Sequence, residues 1–477
     1  MNAKLILLLI VFVPVAGAFI IPLFGSISKN LRNITALLLV TVSIIASFTA
    51  LPNASKGIPF QYNIDFPLGF NFGLLGDGLA VFMGIVSAFI GAVIIFYSFG
   101  YISHYKNQNE YYFMVVLFIG SMMGIVYSTN LIFIYIFWEI AAISCWRLIG
   151  FFREKDHVIK ADKAFLVTVF GALVMLIGFI LIYFQTGTFD LVKMRGTQIP
   201  DLAVFLILFG IFSKSATLPL HTWLPDAGVA PSPVTSLLHA AVLVKIGVYV
   251  FARLFLVTFE VSYIWHTIIP VVAAASALVS AGAALIETDL KRLIAYSTIS
   301  QLAFIFLGLS TGSLIGAAGA LLYILMHGLA KGGLFLCAGI VEQNTKTRDI
   351  TKLGGLISTM PVTAVTFAIC AFSVMGIPPL GGFFSKLMVI RGAVDAGELW
   401  IALTFVIGAV LTIIYLLRVF VMVFLGDNKY PDAREGSFTM IFSVIVLAVL
   451  SILGGIMINI PADFVNTISK QMEVIYR

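Results

Sequence analysis

Five charged side chains lie inside long apolar stretches of the sequence, away from any expected loop: Glu139, Lys214, Lys245, Lys331 and Lys386. A charge at the centre of a lipid bilayer costs about 2.5–3.5 kcal/mol on insertion scales, so these side chains are expected to face the protein interior or water. Only one of the five is acidic, so pairing within the set neutralises one lysine at most. Burial without a paired carboxylate favours the neutral form of a lysine, which then exchanges protons readily. The pattern therefore predicts proton translocation, and buried ion pairs that fix helix packing are the alternative.

Three histidines extend this set of ionisable residues. His327 lies four residues before Lys331, which places both on one face of a helix, and His239 lies six residues before Lys245. Histidine titrates near pH 6.5 and passes protons between waters, whereas a histidine bonded to a backbone carbonyl is the alternative for both residues. His221 directly follows a proline-containing stretch and is interpreted as either a proton relay or a cap.

Four hydroxyl residues near the charged positions are weaker candidates. Any of them could hold a bridging water, but a serine or threonine in a helix more often bonds to the backbone one turn earlier. We therefore interpret them as packing or backbone-bonding residues: Ser213, Ser297, Thr298 and Ser385.

The elements that carry these residues follow from the composition of the chain. Of its 477 residues, 61% are hydrophobic and only 10% are charged, against about 25% charged residues in soluble proteins. So much apolar surface must face lipid, which excludes a water-soluble, disordered or collagen-like protein. The net charge is +6, but most of the charged residues lie in short loops between apolar runs, which indicates membrane topology and not a nucleic-acid partner.

No redox chemistry is expected within this chain. Cys145, Cys337 and Cys370 lie far apart within apolar runs, so neither a disulfide framework nor a CxxC metal site is predicted. The sequence also contains no P-loop and no dinucleotide fingerprint. We expect no cofactor and no metal, and the energy for transport must come from outside the chain.

About fourteen apolar segments are long enough to span a membrane. Each holds about twenty residues in a continuous run, so helices are predicted and strands are not. The first segment is interpreted as a span rather than a signal peptide, because its run continues through Phe19-Ile20-Ile21. The segments begin near Leu5, Ile34, Leu79, Tyr111, Leu131, Ala164, Leu202, Val234, Tyr263, Leu293, Leu314, Pro361, Trp400 and Phe438.

Two of these segments are interrupted by proline, and their spacing predicts an internal repeat. The seventh contains Pro219 and the twelfth contains Gly376-Ile377-Pro378-Pro379, so both helices should break. The breaks lie five segments apart, and a repeat with an odd number of spans must be inverted. Phe212-Ser213-Lys214 also recurs as Phe384-Ser385-Lys386. We predict an all-α integral membrane protein with two inverted five-helix repeats, in which helices 7 and 12 are broken.

The chain is expected to form one polytopic membrane domain over 1–477. Within it we predict three N-terminal helices over 1–105, a first repeat over 111–258, a second repeat over 263–426 and a last helix with a tail over 437–477. The loops carry Lys and Arg in a ratio of about two to one between the two sides. This bias predicts a multi-pass protein of the cell membrane with both termini outside the cytoplasm.

Several stretches of the sequence resemble one family. They are Phe137-Trp138-Glu139, the block from Ser213 through Ala227, the run from Pro231 to Ala241, and Thr288 to Thr298. The chain is similar over nearly its whole length to the antiporter-like proton-translocating subunits shared by respiratory complex I, the Mrp cation/proton antiporters and the membrane-bound hydrogenases. That family has fourteen core helices and two inverted repeats, each with a broken helix.

The resemblance assigns roles to particular residues. The fifth-helix glutamate of the family falls on Glu139, the seventh-helix and eighth-helix lysines fall on Lys214 and Lys245, and the twelfth-helix basic residue falls on Lys386. His327 and Lys331 would match a pair seen in some members. The chain stops soon after its fourteenth segment, and position 386 holds Lys rather than Glu, which favours an Mrp-D-like subunit.

The resemblance also implies the partners. These are other membrane subunits of a multisubunit complex, joined by peripheral iron–sulfur hydrogenase or quinone-reductase subunits if the complex is driven by redox chemistry. Protons are the expected cargo, with sodium ions as an alternative. Two further functions stay open at this point: a self-sufficient secondary cation/proton antiporter, and a structural subunit whose buried charges only fix packing.

Overall fold

The computed structural model describes residues 3–65 and 71–472. Residues 1–2 and 66–70 of the predicted 1–105 segment, and residues 473–477 of the predicted tail, lie outside the described residues. The helices before residue 260 are α1 (Ala3–Ala18), α2 (Ile21–Ile27), α3 (Lys29–Ser55), α4 (Gly78–Tyr101), α5 (Gln108–Tyr127), α6 (Leu131–Ile149), α7 (Lys155–Thr186), α8 (Asp201–Lys214), α9 (Trp223–Asp226), α10 (Ser232–Ser236) and α11 (Leu243–Ala252). The later helices are α12 (Trp265–Ile286), α13 (Leu290–Leu309), α14 (Leu314–Thr345), α15 (Pro361–Met375), α16 (Gly381–Asp395), α17 (Leu399–Phe424), α18 (Phe438–Ile456) and α19 (Asn459–Gln471).

The helical membrane fold is confirmed, whereas the number of spans is not. In the described part of the chain, eleven helices are long and apolar enough to cross a membrane, or twelve if α1 and α2, which meet at 51°, form one span. The two other predicted segments are the interrupted ones, whose pieces α8, α15 and α16 have only 14, 15 and 15 residues. The difference therefore comes from the proline breaks.

Short strands lie between the spans, where the length of an apolar run says nothing about secondary structure. β1 (Phe60–Asp65) pairs antiparallel with β2 (Asn71–Gly76), and β3 (Thr197–Gln198) pairs parallel with β4 (Phe259–Glu260). We call the side of the bundle with these strands the hairpin face. Both ends of the described chain reach it, since the Lys4 amine lies 4.6 Å from the Tyr62 ring centre and α19 packs near Gly57.

Both predicted breaks are present and lie beside glycine or proline. α8 ends at Lys214, and α9 begins only at Trp223. α15 ends at Met375, where Gly376 has a φ of +84°, a left-handed conformation that glycine adopts without a Cβ clash. Lys214 is thus the last residue before the first break, while Lys386 lies inside α16, after the second. The recurring Phe-Ser-Lys tripeptide does not mark equivalent positions.

A different feature does recur in the two halves. The residue before α6 and the residue before α13 each form an antiparallel bridge with a segment that follows the next long helix, Asn130 with Asp190 and Asp289 with Asp349. The backbone bonds around the two bridges also match. This correspondence favours a repeat, while its inverted orientation and boundaries stay predictions.

The eighth predicted segment is less regular than its sequence indicated. It consists of α10 and α11, with π-helical turns at Leu237–Ala241 and Arg253–Thr258. Together with α13 and α14 it forms the most deeply buried part of the bundle. This irregular segment places His239 and Lys245 at the centre of the protein.

Candidate functional site

Lys214 is fully buried at the end of α8 and is held by α6. Its Nζ donates to the carbonyl oxygen of Trp138 at 3.3 Å and lies 5.3 Å from the centre of the Trp138 ring. Glu139, the next residue on α6, is partly exposed and interacts electrostatically with Lys214. Among the described residues, however, no carboxylate lies within 4 Å of the Lys214 amine. The two residues are neighbours without a closed ion pair.

Lys245 is fully buried on α11 and reaches across to α14. Its Nζ donates to the carbonyl oxygen of Ile324 at 2.9 Å. Gly328 faces this amine so closely that a Cβ there would lie 2.4 Å from Nζ. A glycine at this position therefore provides the space that the lysine amine occupies.

The two core histidines lie beside this lysine and the next one. His327 and His239 are both fully buried, and none of their four ring nitrogens bonds to a group in the described part of the chain. The expected alternative, a histidine bonded to a backbone carbonyl, is therefore not observed. The His239 ring packs 4.4 Å from that of Phe335, one turn beyond Lys331 on α14, and the His327 ring lies 5.9 Å from that of Tyr323.

Lys331 begins a chain of side-chain hydrogen bonds that runs towards Lys386. Its Nζ donates to Ser297 Oγ at 2.5 Å, and Ser297 Oγ lies 2.8 Å from the hydroxyl of Tyr415. Gln301 Nε2 donates to the same hydroxyl at 3.5 Å, and its Oε1 accepts a hydrogen bond from Tyr323. Helices α13, α14 and α17 thus contribute to one polar network.

Lys386 lies at the far end of this network. Its Nζ donates to the carbonyl oxygen of Val374 at 2.7 Å, across the second break, and lies 5.4 Å from the centre of the Tyr323 ring. Tyr323 therefore contacts both the network from Lys331 and the amine of Lys386. The side chain of Lys386 is 5% exposed, so the break does not open it widely to the surface.

His221 does not join these residues. It is partly exposed in the loop after the first break, where its Nδ1 lies 3.4 Å from the carbonyl oxygen of Pro219. The Pro219 carbonyl does not belong to a helix end, so this contact is not a helix cap, and the position also lies apart from the core where a relay was expected. The structure thus brings together Lys245, His327, His239, Lys331 and Lys386, places Lys214 and Glu139 as a separate pair at α6 and α8, and leaves His221 apart.

A charged cavity of about 470 Å³ lies on the face opposite the hairpin. Its wall includes Glu342, whose Oε2 lies 2.6 Å from the amine of the buried Lys291 and accepts from Ser232 at 3.2 Å. Arg348 pairs with Asp289 at 3.1 Å in the same wall. The sequence did not single out Glu342, which lies near the end of the apolar helix α14.

A second charged cluster stands beside this cavity. Asp226 accepts from Lys163 at 2.7 Å and from Arg292 at 2.5 Å. Partial burial acts to raise the pKa of Asp226, but the hydrogen bonds from these two cations hold it below its usual value. Arg292 also pairs with Glu287 at 3.1 Å, so the loop after the first break is tied to the ends of α7, α12 and α13.

The serine and threonine candidates fall into two groups. Ser213, Thr298 and Ser385 bond to backbone carbonyls three or four residues earlier, as expected. Ser297 instead contacts Lys331, so its interpretation as a packing residue is incomplete. Gln301, Tyr323 and Tyr415 were also missed, since a polar residue inside an apolar helix carries no signal until its partner helix is known.

These features define a class of protein: a multi-span membrane chain with two broken helices and a row of buried basic residues across its core. The comparison with known families agrees. The family described as the transmembrane region of NADH:quinone oxidoreductase/Mrp antiporter matches residues 128–412, and the N-terminal region of chain 5 of NADH-ubiquinone oxidoreductase (complex I) matches residues 64–112. The first match covers more than half of the chain, which therefore belongs to the NADH:quinone oxidoreductase/Mrp antiporter family.

Curated relatives include components of sodium/proton antiporters. The chain is 32% identical over 484 residues to the A1 subunit of the Na(+)/H(+) antiporter of Staphylococcus haemolyticus (strain JCSC1435), with 94% of this chain and 60% of the relative covered. It is 36% identical over 440 residues to the A subunit of the Na(+)/H(+) antiporter of Alkalihalophilus pseudofirmus, with 83% and 54% covered. The chain spans 60% or less of the length of these two relatives.

Solved structures share the fold over nearly the whole chain. A chain of the Mrp complex from Dietzia sp. DQ12-45-1b superposes with a TM-score of 0.89 at 22% identity, covering 99% of this chain and 98% of that chain. A chain of the membrane-bound sulfane sulfur reductase (MBS), an archaeal respiratory membrane complex, gives 0.88 at 23% identity, with 98% and 97% covered. These likenesses establish the fold.

Proposed function

We propose that this chain is an antiporter-like subunit that translocates protons, with sodium as the alternative ion, within a multisubunit complex of the cell membrane. One buried lysine, Lys291, is paired with Glu342. The observation that carries the proposal is the other four buried lysines, Lys214, Lys245, Lys331 and Lys386. Among the described residues, none of these amines has a carboxylate within 4 Å. Burying an ionisable group without a partner at membrane depth costs free energy, so a functional role is the default explanation for such a residue.

Glu139 and Lys214 are the proposed switch. With the carboxylate near, the protonated amine of Lys214 is stabilised. When the carboxylate or its helix moves away, burial favours the neutral amine and the proton moves on. The observed geometry supports this role, because Lys214 is held by the backbone of Trp138 and not by a closed bond to Glu139.

The proton then passes through the core of the bundle. Lys245 receives it, His327 and His239 carry it through water, and Lys331 accepts it. From Lys331 the polar network of Ser297, Tyr415, Gln301 and Tyr323 leads to Lys386. This order uses each residue of the predicted set except His221, which we assign to the loop.

The charged cavity opposite the hairpin is the proposed cytoplasmic vestibule. We propose this orientation because the loop bias of Lys and Arg favours a cytoplasmic location for this face and an outside location for both termini. The position of Lys4 and α19 on the hairpin face supports a common side for the two termini. Glu342 and Ser232 stand where the vestibule meets the deeply buried α10 and α14.

The partners proposed for this chain are other membrane subunits. The relatives at 32% and 36% identity are named as A-type subunits of Na(+)/H(+) antiporters, and the similar folds occur in an Mrp complex and in an archaeal respiratory complex. We therefore favour an Mrp-type assembly in which this chain is a D-like or A-like subunit. Peripheral redox subunits are partners only in the alternative, a respiratory complex.

Transport by the assembled complex in sealed vesicles tests the proposal. Lys214→Ala and Glu139→Ala should each abolish coupled proton movement while the complex still assembles. The exposed Lys352, whose amine lies 3.6 Å from Asp349 outside the spans, provides the control: Lys352→Ala should transport normally. If Lys214→Ala or Glu139→Ala transports like the wild type in a correctly assembled complex, the proposed function fails.

A further inference from the structure

A second cavity, of about 460 Å³, opens on the hairpin face. Its wall includes Asp77, Arg253, Arg195 and Thr129. Arg253 is 4% exposed and makes a two-pronged ion pair with Asp77, with contacts of 2.5 and 2.7 Å. Neither residue belongs to the proposed path from Glu139 to Lys386.

The Arg253 side of this cavity leads back towards Lys245. Lys245, Tyr249 and Arg253 follow one another at four-residue spacing along α11 and into the π-helical turn that follows it. Arg253 Nε donates to the Tyr249 hydroxyl at 2.9 Å, and that hydroxyl donates to the carbonyl oxygen of Val126 at 2.5 Å. A fully buried tyrosine is thus fixed between the cavity and the lysine.

Helix α4 also extends from the cavity towards Lys245, and it has one polar residue near each end of that stretch. Asp77 caps its first turn by accepting from the backbone N–H of Ala80 at 2.9 Å. Ser87, about 15 Å further along the helix, is fully buried, and its hydroxyl bonds to no group in the described part of the chain. One turn later, Ile90 and the Lys245 amine both contact the space beside Gly328.

Thr129, which precedes α6 in the cavity wall, is a second buried hydroxyl residue of this kind. It is 1% exposed, and its hydroxyl also finds no partner within residues 3–65 and 71–472. Buried hydroxyl groups are normally satisfied by protein or by ordered water. We therefore expect water to bond at these two groups, one in the cavity wall and one a turn from the Lys245 environment.

We infer that the cavity on the hairpin face is the mouth of a second proton route, which runs past Asp77, Arg253, Tyr249 and Ser87 to Lys245. The inference rests on the proposed function, because it supplies the ion path with an access from the face opposite the vestibule. Tyr249 is a positioning residue in this route, since it holds Arg253 and bridges α11 to α5.

Silver ions, which are close to water in size, test the route in the assembled complex. Cys145, Cys337 and Cys370 are first replaced by alanine, and single cysteines are introduced as Ser87→Cys, Thr129→Cys and Ala88→Cys. Silver is added to one face of sealed vesicles, and the thiols left unreacted are labelled with a maleimide after denaturation. Silver on the hairpin face should cause loss of labelling at Ser87→Cys and Thr129→Cys but not at Ala88→Cys, which is equally buried among apolar groups.

The labelling of Ser87→Cys either supports or overturns the proposed route. Labelling of Ser87→Cys that survives silver on the hairpin face, or is lost only with silver on the other face, overturns the route. Tyr249→Phe gives a second readout: it should reduce proton transport several-fold, while Tyr111→Phe, which removes another fully buried hydroxyl bonded to Ser98, should not. If Lys214→Ala abolishes transport but Tyr249→Phe has no effect, the route fails and the proposed function stands.

Discussion

Replacing Gly328 with alanine places a methyl group against the amine of Lys245. The new Cβ would lie 2.4 Å from Lys245 Nζ and 2.6 Å from Ile90 Cδ1, whereas ordinary contacts begin at 3.4 Å. The amine must therefore move by 3.4 − 2.4 = 1.0 Å. The amine and the Ile90 methyl group are ends of flexible side chains and can move aside, whereas the backbone oxygen of Ala240, 3.2 Å from the new Cβ, must shift by a few tenths of an ångström.

The expected effect on function is larger than that on stability. Overpacking costs about 1–3 kcal/mol, and alanine in place of glycine recovers roughly 0.5–1 kcal/mol within a helix. The shifted amine loses its 2.9 Å bond to Ile324, and a misplacement of about 1 Å at a reacting group can cost roughly 100-fold in rate. We expect Gly328→Ala to assemble and to lose most proton transport.

The assay is proton uptake by the reconstituted complex, with thermal unfolding measured in parallel. Gly282→Ala is the matched control, because nothing lies within 4 Å of the Cβ that it would add inside α12. Transport by Gly328→Ala at the rate of Gly282→Ala would refute a role for the Lys245 amine at its observed position.

Three further perturbations test other parts of the site. Ser297→Ala removes a hydrogen bond to the Lys331 amine, and hydrogen bonds to charged groups contribute about 1.5–3 kcal/mol, so transport should fall about tenfold or more. Thr298→Ala is the control: it loses only a hydrogen bond to the Ile294 carbonyl and should transport normally. Glu342→Gln leaves Lys291 buried without its carboxylate, and the melting temperature should fall. Breaking a fully buried ion pair costs about 3–5 kcal/mol, and the cost is smaller here because the Glu342 side chain is 27% exposed. Adding Lys291→Met should recover much of the lost stability, and no recovery would show that the ion pair is not the source of the loss. Because the pKa of Asp226 is held below its unfolded value, the stabilisation from its ionised carboxylate is present above about pH 4 and is lost as the pH falls through the folded-state pKa. The melting temperature of Asp226→Asn should therefore fall less steeply with decreasing pH than that of the wild type. An equally steep fall in both proteins would contradict this prediction.

Much of the fold was predictable because lipid imposes a simple rule. Continuous apolar runs must become helices, and proline at membrane depth must break them, so α8 and the break before α16 lie where the sequence placed them. The hairpin of β1 and β2 and the π-helical turns beside α11 were not predictable. They depend on packing between segments distant in sequence, which no periodicity encodes.

The site divides in the same way. A lysine inside an apolar run would cost several kcal/mol if it faced lipid, so Lys214, Lys245, Lys331 and Lys386 could be selected from the sequence without a structure. Their partners could not, since backbone carbonyls such as that of Trp138 are present in every sequence. The hydroxyl chain through Ser297 and Tyr415 requires α13 and α17 to meet at one depth, and only the packed bundle shows that they do.

The four lysines differ in what surrounds them, and the difference indicates where transfer is controlled. All four amines donate to a backbone carbonyl, but Lys331 also donates to Ser297 Oγ, and the amine of Lys386 lies over the ring of Tyr323. Ser297 and Tyr323 belong to a network of side-chain hydroxyl and amide groups, which can reorient as a proton passes. Within the described part of the chain, Lys214 and Lys245 donate to backbone carbonyls, and these accept but do not pass protons. Between the two pairs stand His239 and His327, whose ring nitrogens are not bonded to other described groups. Because these ring nitrogens have no fixed partner among the described groups, we propose that the step from Lys245 to Lys331, like the switch proposed at Glu139 and Lys214, depends on the position of the surrounding helices.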